Sequence, residues 1–392
     1  MDRGANPKIE GFDVVPRKSV YAYSENGLGL FAYSKQRKEV WMIRRFPGLL
    51  IASRGDLALV MWILSLASIP VAGQTSLAGA KAKTTEAKTK AVQAWTPTRT
   101  PDGHPDLQGI WSNATVTPLE RPAELAGKAT LTEQEAAVYE KQMVERNNVD
   151  RRPPVGTEAD VAGAYNEAWT DRGTKVVKTR RTSLIVDPPD GRIPPLTPEA
   201  QKKALDRAEA RRLHPADGPE DRPLNERCIL TVTTGPPMLP GPYNNNYQIV
   251  QTPEAVVIFN EMIHDTRTVF MDGRPHLPQN VRQWKGDSIG HWEGDTLVVD
   301  TTNFTDKTNF RGSGENLHLV ERFTRMDADT LLYQFTVDDP ASFTRPWTAA
   351  IASTKTEGPI FEFACHEGNY AMRGILSGAR AEEKKAAEKN SR

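Results

Sequence analysis

Cysteine is scarce in this chain, with 2 among 392 residues, at Cys228 and Cys365. Two thiols are too few for a disulfide-rich scaffold or for a structural zinc site built on four cysteines. In an oxidising compartment we expect them to form one disulfide that closes a long loop. The alternative is two free, buried thiols.

The chain also lacks an excess of charge, since 50 Lys and Arg residues balance 50 Asp and Glu residues. Binding to nucleic acid usually requires a basic surplus, so we predict no nucleic-acid partner. Two local catalytic motifs are missing as well: the His-Glu-x-x-His zinc motif and a Gly-rich phosphate loop after a strand. These absences exclude the enzyme classes that depend on those motifs.

Long hydrophobic runs are absent apart from one apolar stretch at residues 57–67. It follows Arg44 and Arg45 and precedes small residues, which is the order of a secretory signal peptide, and it is shorter than the roughly 20 residues that span a bilayer. We predict a signal peptide over residues 42–80, a secreted or periplasmic protein, and no stable membrane span after signal removal. The alternative is a membrane anchor formed by an uncleaved N-terminal segment. Residues 1–41 would be an extra extension or the product of a start codon assigned too early.

Composition divides the rest of the chain into three parts. Residues 81–103 are rich in Ala, Lys and Thr, which is typical of a disordered linker. Residues 104–378 have the length and patterning of one β domain. Residues 379–392 form a charged C-terminal tail.

Short β-patterned segments are abundant between residues 243 and 370, with tight turns such as Asp272-Gly273 between them. Hairpins without crossover helices indicate antiparallel pairing. We therefore predict a mainly β fold: an antiparallel meander that forms a lipocalin-like barrel, with a β-sandwich as the alternative. Residues 360–365 would be the last strand.

Two helices are indicated by their start signals. Thr132 and Glu135 have the spacing of a capping box, and Thr197 followed by Pro198 is typical of an N-cap and a first helical position. Both segments are polar over most of their surface, so we expect peripheral helices.

Four segments resemble a large family of secreted bacterial proteins of unassigned function. They are DLQGIW at residues 106–111, GPYNNNY at 241–247, WEGDTLVV at 292–299 and CHEGNY at 365–370. The resemblance covers nearly the whole predicted β domain. It implies secretion and a shared scaffold, and it lends no activity and no catalytic residue.

Three histidines lie in the strand-rich region with carboxylates nearby, and the candidate catalytic residues are His264, His318, His366, Glu261 and Glu367. His264 follows Glu261, His366 precedes Glu367, and His318 has acidic neighbours on both sides. An imidazole beside a carboxylate suits general acid–base chemistry or binding of a divalent metal. The spacing favours no particular metal, so the cofactor stays unknown. The structural alternative is that these histidines form hydrogen bonds at strand ends.

The faces of two predicted strands suggest a binding pocket. If the turn near Asp327 has an even number of residues, His318 and Arg322 share a sheet face with Tyr333 and Phe335. An odd number would turn Arg322 to solvent.

A guanidinium beside aromatic rings, with Trp347 close in sequence to these strands, favours a small, partly apolar ligand with an oxygen-rich head group. The alternative is an enzyme, either a hydrolase, a lyase or an isomerase, that uses the same cavity. We therefore assign Arg322, Tyr333, Phe335 and Trp347 as candidate ligand-binding residues.

Overall fold

The computed structural model describes residues 95–391, except 152, 158 and 161–165. The predicted N-terminal extension, the signal peptide and most of the linker lie outside the described residues. The chain's DLQGIW segment begins the barrel.

Ten strands form one sheet in the described part of the chain. They are β1 (Gly109–Ser112), β2 (Ile185–Asp187), β3 (Asn246–Gln251), β4 (Ala255–Asn260), β5 (Asp265–Phe270), β6 (Asp287–Glu293), β7 (Thr296–Thr302), β8 (His318–Asp327), β9 (Thr330–Asp338) and β10 (Trp347–Thr356). Neighbours run in the order β1-β3-β4-β5-β6-β7-β8-β9-β10, and β1 also pairs with β10. Nine strands therefore close into a barrel, and β2 lies outside on β10. The predicted barrel with peripheral helices is confirmed.

The barrel closes through its first strand. Ile110 of β1 pairs with Thr356 at the end of β10, and Trp111 pairs with Tyr247 of β3. The prediction of a last strand at residues 360–365 is wrong, because β1 occupies the free edge of β10 and the chain after Thr356 leaves the sheet.

Antiparallel pairing holds throughout the sheet except between β5 and β6, which run parallel and meet at Phe270 and Ile289. The Asp272-Gly273 turn forms no hairpin. Residues 271–286 instead make a long connection that returns the chain to the same end of the barrel, which a parallel pair requires.

Three α-helices of the described residues lie outside the barrel: α1 (Glu133–Asn147), α2 (Pro198–Leu213) and α3 (Tyr370–Asn390). The capping box of Thr132 and Glu135 is present, and the Thr197 side chain accepts a hydrogen bond from the Ala200 N–H, so both predicted helix starts are confirmed. The third helix extends through the predicted charged tail. Within the described residues, no helix has the length and apolar character needed to cross a membrane.

The inward side chains of the barrel are large and apolar. Trp111, Tyr247, Phe323, Tyr333 and Trp347 are among its fully buried members. Two polar atoms on this face have partners: the Trp111 indole N–H donates to a carbonyl at 2.9 Å, and the Tyr247 hydroxyl donates to a serine at 2.8 Å. The Trp347 indole N–H is buried without an acceptor among the described residues. The barrel therefore has a packed core.

The predicted disulfide between Cys228 and Cys365 is confirmed. It joins residues 217–243, which precede β3, to the segment that follows β10. Two parts of the chain that are 137 residues apart thereby meet at one end of the barrel.

Candidate functional site

The four residues predicted to bind a ligand lie on both sides of the barrel wall. Tyr333, Phe335 and Trp347 are fully buried in the core, with successive ring centroids 5.7 Å apart. Arg322 faces outward, where its Nη2 donates to Glu293 Oε2 at 2.7 Å. The expected shared face is therefore not formed. Ligand binding by these four residues stays a prediction, and the proposal below does not depend on it.

A β-bulge causes this difference. The β8–β9 turn has two residues, since Asp327 pairs with Thr330, but the register shifts between Arg325 and Asp327. One additional residue on β8 shifts the preceding part of the strand by one position, so side chains expected to point inward point outward and the reverse. Glu321 now stands opposite Phe335 and points inward, while His318 and Arg322 point outward.

The inward turn of Glu321 creates a buried ion pair. Its carboxylate accepts two hydrogen bonds from the Arg267 guanidinium, one of them at 3.0 Å, and a third from the Tyr333 hydroxyl at 2.7 Å. The Met238 N–H donates to the same hydroxyl at 3.0 Å. Burial raises the pKa of Tyr333 well above its usual value, and the Glu321 charge adds to this rise. The tyrosine is thus held neutral as a donor to the carboxylate.

No side-chain hydrogen bond or ion pair joins the candidate acid–base residues to one another in the described structure. Glu261 is buried, and its two oxygens accept hydrogen bonds at 2.9 Å and 3.1 Å. His264, His366 and Glu367 are exposed. Among the described residues, no group of three or more His, Cys, Asp or Glu side chains could hold a metal ion. The catalytic roles stay predictions.

His318 belongs to a different group on the outer barrel face. Its Nε2 lies 2.8 Å from Asp300 Oδ2, and the other Asp300 oxygen lies 3.0 Å from Nε2 of His276. The second nitrogen of His276 lies 2.9 Å from Asp287. Sequence analysis missed His276 because it lies in the connection between β5 and β6, outside the predicted strands.

Residues 286–290 read Gly-Asp-Ser-Ile-Gly, which has the spacing of a hydrolase nucleophile elbow. The elbow requires an exposed serine on a turn between a strand and a helix. Ser288 is buried inside strand β6, and its hydroxyl is bonded to Thr301 at 3.0 Å. The spacing is therefore coincidental here.

A cavity of about 990 Å³ lies outside the barrel wall, at the end where β4 and β7 terminate. We call it the end cavity. It is bounded by α2, residues 220–243, the turn at Met262–His264, residues 306–311 and the segment that includes Cys365. Pro236 and Pro237 line it, and the next residue, Met238, donates to Tyr333 in the core.

Cationic side chains outnumber carboxylates in the end cavity. Six arginine or lysine residues and three acidic residues line it. The cations come from three separate parts of the chain: α2, residues 222–227 and residues 307–311. The resulting positive excess favours an anionic ligand.

Arg227 is the least compensated of the shielded cations. Its side chain is 17% exposed, and its sole ion pair in the described structure is a 3.8 Å contact with Glu220, which is itself 72% exposed. That separation is too long for a hydrogen bond. A shielded guanidinium without close acceptors is costly, so the site favours an anion that supplies them.

Two further guanidiniums have N–H donors without hydrogen-bond acceptors in the described structure. Arg211 makes one long bond of 3.4 Å, to the Arg207 carbonyl of its own helix. Arg311 has no side-chain partner among the described residues and has a left-handed backbone, with φ of 53°. Both line the end cavity together with Arg227.

His214 adds an oriented imidazole to the rim. It follows α2, and it lies on the same helix face as Arg207 and Arg211, since these positions are separated by four and three residues. Its Nδ1 lies 2.6 Å from Asp217 Oδ2. This contact leaves Nε2 without a partner in the described part of the chain.

The sequence contained only a weak signal for this site. Arg211 and His214 appeared as part of a uniformly charged helix surface, and Arg227 as one charge in a proline-rich segment. The adjacency of Arg227 to Cys228, together with the expected disulfide, could have placed this arginine next to residues 363–365.

The fold and site together define a β-barrel protein with a packed core and a basic cavity at one end. Comparisons of the chain with protein-family models, with curated proteins and with solved structures find no match. The resemblance to secreted bacterial proteins therefore stays a prediction.

Proposed function

We propose that this chain is a secreted or periplasmic barrel protein that binds a small, partly apolar ligand with an anionic, oxygen-rich head group in the end cavity. The observation that supports this proposal most strongly is Arg227. Its side chain is 17% exposed, lines the cavity and lacks a close acceptor. A carboxylate or phosphate would supply two acceptor oxygens that match its planar fork.

Part of the cavity lining is apolar and suits the hydrophobic part of the ligand. Tyr243, Met262, Phe310 and Phe363 line the cavity alongside the cations. A volume of about 990 Å³ is at the upper end of the range of about 300–1,000 Å³ that is usual for small-molecule sites. Aromatic rings and guanidiniums in one cavity suit a ligand with a hydrophobic body and a charged end.

The disulfide supports the proposed secreted or periplasmic location. Cys228 and Cys365 are the chain's two cysteines, and they are bonded to each other. Disulfides persist in oxidising compartments and are rare where glutathione keeps thiols reduced. The signal-peptide pattern at residues 42–80 and the resemblance to secreted proteins agree with export.

The test is calorimetric titration with 2-naphthoate, and with 2-naphthalenemethanol as its uncharged counterpart. We expect the carboxylate to bind and the alcohol to bind much more weakly. Arg227→Gln should weaken 2-naphthoate binding about 10- to 100-fold, because a hydrogen-bonded contact with a charged group contributes about 1.5–3 kcal/mol.

Arg192→Gln is the matched control, since Arg192 is exposed and does not line the cavity. Its affinity for 2-naphthoate should equal that of the wild type. Equal binding of acid and alcohol, or equal binding by the Arg227 and Arg192 variants, would contradict the proposal.

The enzyme alternative is favoured by one specific observation, the His214–Asp217 pair. A carboxylate on Nδ1 keeps the Nε2 lone pair available as a base. In ester hydrolysis, Nε2 would take a proton from water as the water oxygen bonds to the ester carbonyl carbon, and the bond from that carbon to the leaving oxygen would then break. Arg211, one helical turn earlier, would hold the substrate's anionic group.

Mono-4-nitrophenyl succinate is a suitable probe because it has both an ester and a free carboxylate. If the pair is catalytic, His214→Gln should slow release of nitrophenolate by about 100-fold or more, the usual effect of losing a general base. Binding of 2-naphthoate should be retained in the same variant. Nitrophenolate release at the buffer rate by the wild type would leave ligand binding as the function.

A further inference from the structure

One wall of the end cavity includes part of residues 357–369, a segment without helix or strand between β10 and α3. Phe363 and Cys365 of this segment line the cavity. The Phe363 ring stacks on Tyr243 with centroids 6.4 Å apart. Both rings pack against a small hydrophobic cluster that contains Cys228 and Met262. This cluster is separate from the barrel core, and it forms the apolar face of the cavity.

Few noncovalent contacts hold this wall in place. The Phe361 N–H donates to Glu261 Oε1 at 3.1 Å, and the Asn369 side chain donates to the Glu226 carbonyl at 2.7 Å. Most residues of the segment are exposed, and no ion pair joins it to other described residues. The Cys228–Cys365 bond is therefore its strongest attachment.

We propose that the Cys228–Cys365 disulfide controls the ligand affinity of the end cavity, so that reduction lowers binding. This inference rests on the proposed function. Reduction by a dithiol breaks the S–S bond, transfers two electrons and two protons to form two thiols, and converts the reductant to its own disulfide. The barrel pairs all its strands without either cysteine, so the fold persists while the wall is released.

The physical reason is the cost of ordering the wall. With the bond intact, Phe363 and Cys365 are held at the cavity before the ligand arrives. With the bond reduced, part of the binding free energy is lost to the conformational entropy of ordering the segment at the cavity. Because this coupling is reciprocal, a bound ligand must shift the equilibrium between disulfide and dithiol toward the disulfide by the same factor.

The experiment measures 2-naphthoate binding by calorimetry on the full chain, oxidised and after treatment with dithiothreitol. The chain has 2 cysteines, so the reductant has a single target. We expect reduction to weaken binding about 5- to 150-fold, the usual range of a coupling between sites. Reoxidation should restore it, and the rate of reduction should fall as 2-naphthoate is added.

The double variant Cys228→Ser/Cys365→Ser is the control for effects of the reductant, and it should bind like the reduced wild type with or without dithiothreitol. Far-ultraviolet circular dichroism verifies that the barrel remains folded. Phe363→Ala, which keeps the disulfide, provides an independent reading and should also weaken binding. Equal affinity of oxidised and reduced protein would overturn the inference and leave the proposed function intact. Failure of the oxidised protein to bind would overturn both.

Discussion

Arg267 and Glu321 are opposite charges inside an otherwise apolar barrel, with side chains 4% and 0% exposed. Each would be costly to bury alone, and their hydrogen bonds to each other and to Tyr333 offset that cost. Breaking such a pair by removing one partner leaves an uncompensated charge in the core. The effect should be far larger than for an ion pair on the surface.

Arg267→Met should lower the free energy of unfolding by about 3–5 kcal/mol, because Glu321 would remain buried without its cation. Arg267→Met/Glu321→Leu should recover much of this loss, since neither charge is left. Urea unfolding followed by tryptophan fluorescence measures both variants. Arg322→Met, on the outer face of the same sheet, is the matched control and should change stability much less. Similar losses in the Arg267 and Arg322 variants would contradict this account.

At the scale of elements, the group of His276, His318, Asp287 and Asp300 attaches the β5–β6 connection to the outer face of the barrel. The hydrogen-bonded Asp300 carboxylate raises the pKa of His318 above its usual value of 6.5, and Asp338 adds to this effect. Burial opposes ionisation of Asp300, but the two histidines together lower its pKa below 3.8.

These directions define a pH window. Because the pKa of His318 is raised in the folded protein, its contribution to stability is fully present below about pH 6.5. This contribution is lost as the pH rises through the His318 pKa of the folded protein. Because the pKa of Asp300 is lowered in the folded protein, its contribution to stability is fully present above about pH 3.8. This contribution is lost as the pH falls through the Asp300 pKa of the folded protein. His318→Gln should therefore lower stability most between about pH 4 and 6.5, and least near pH 9.

Urea unfolding of wild type and variant at pH 5.5, 7.5 and 9 measures this difference. His264→Gln is the control, since that imidazole is exposed and makes no ion pair among the described residues. A difference between wild type and His318→Gln that stays constant across the three pH values would contradict the ion-pair account.

Local sequence predicts some secondary-structure elements correctly and others incorrectly. Thr132 and Thr197 mark helix starts through contacts within three residues, so the sequence was sufficient. Residues 360–365 have a strand pattern and form none, because a strand requires a partner and β1 takes the available edge. Pairing between distant segments is a property of the whole chain.

At the scale of the whole molecule, the packed barrel serves as a scaffold, and the concave site lies outside it. The cavity is formed by segments that lie between or after the strands, and the disulfide joins two of them. Loops commonly bear binding residues on a rigid scaffold, and this arrangement follows that rule. The site that we propose for the ligand therefore lies at the barrel end, outside the packed aromatic core.

The sequence by itself determined the β-rich composition and the helix starts, because these depend on local patterns. It left the two cysteines either paired or free, and the tertiary structure brings them together in a disulfide. The tertiary structure alone decided which face of β8 is buried. A single bulged residue near Asp327 turned Glu321 inward and Arg322 outward, and its presence depends on how β8 and β9 align within the closed sheet. The convergence of Arg211, Arg227 and Arg311 was likewise decided by tertiary structure, since it requires three loop and helix segments to meet in space.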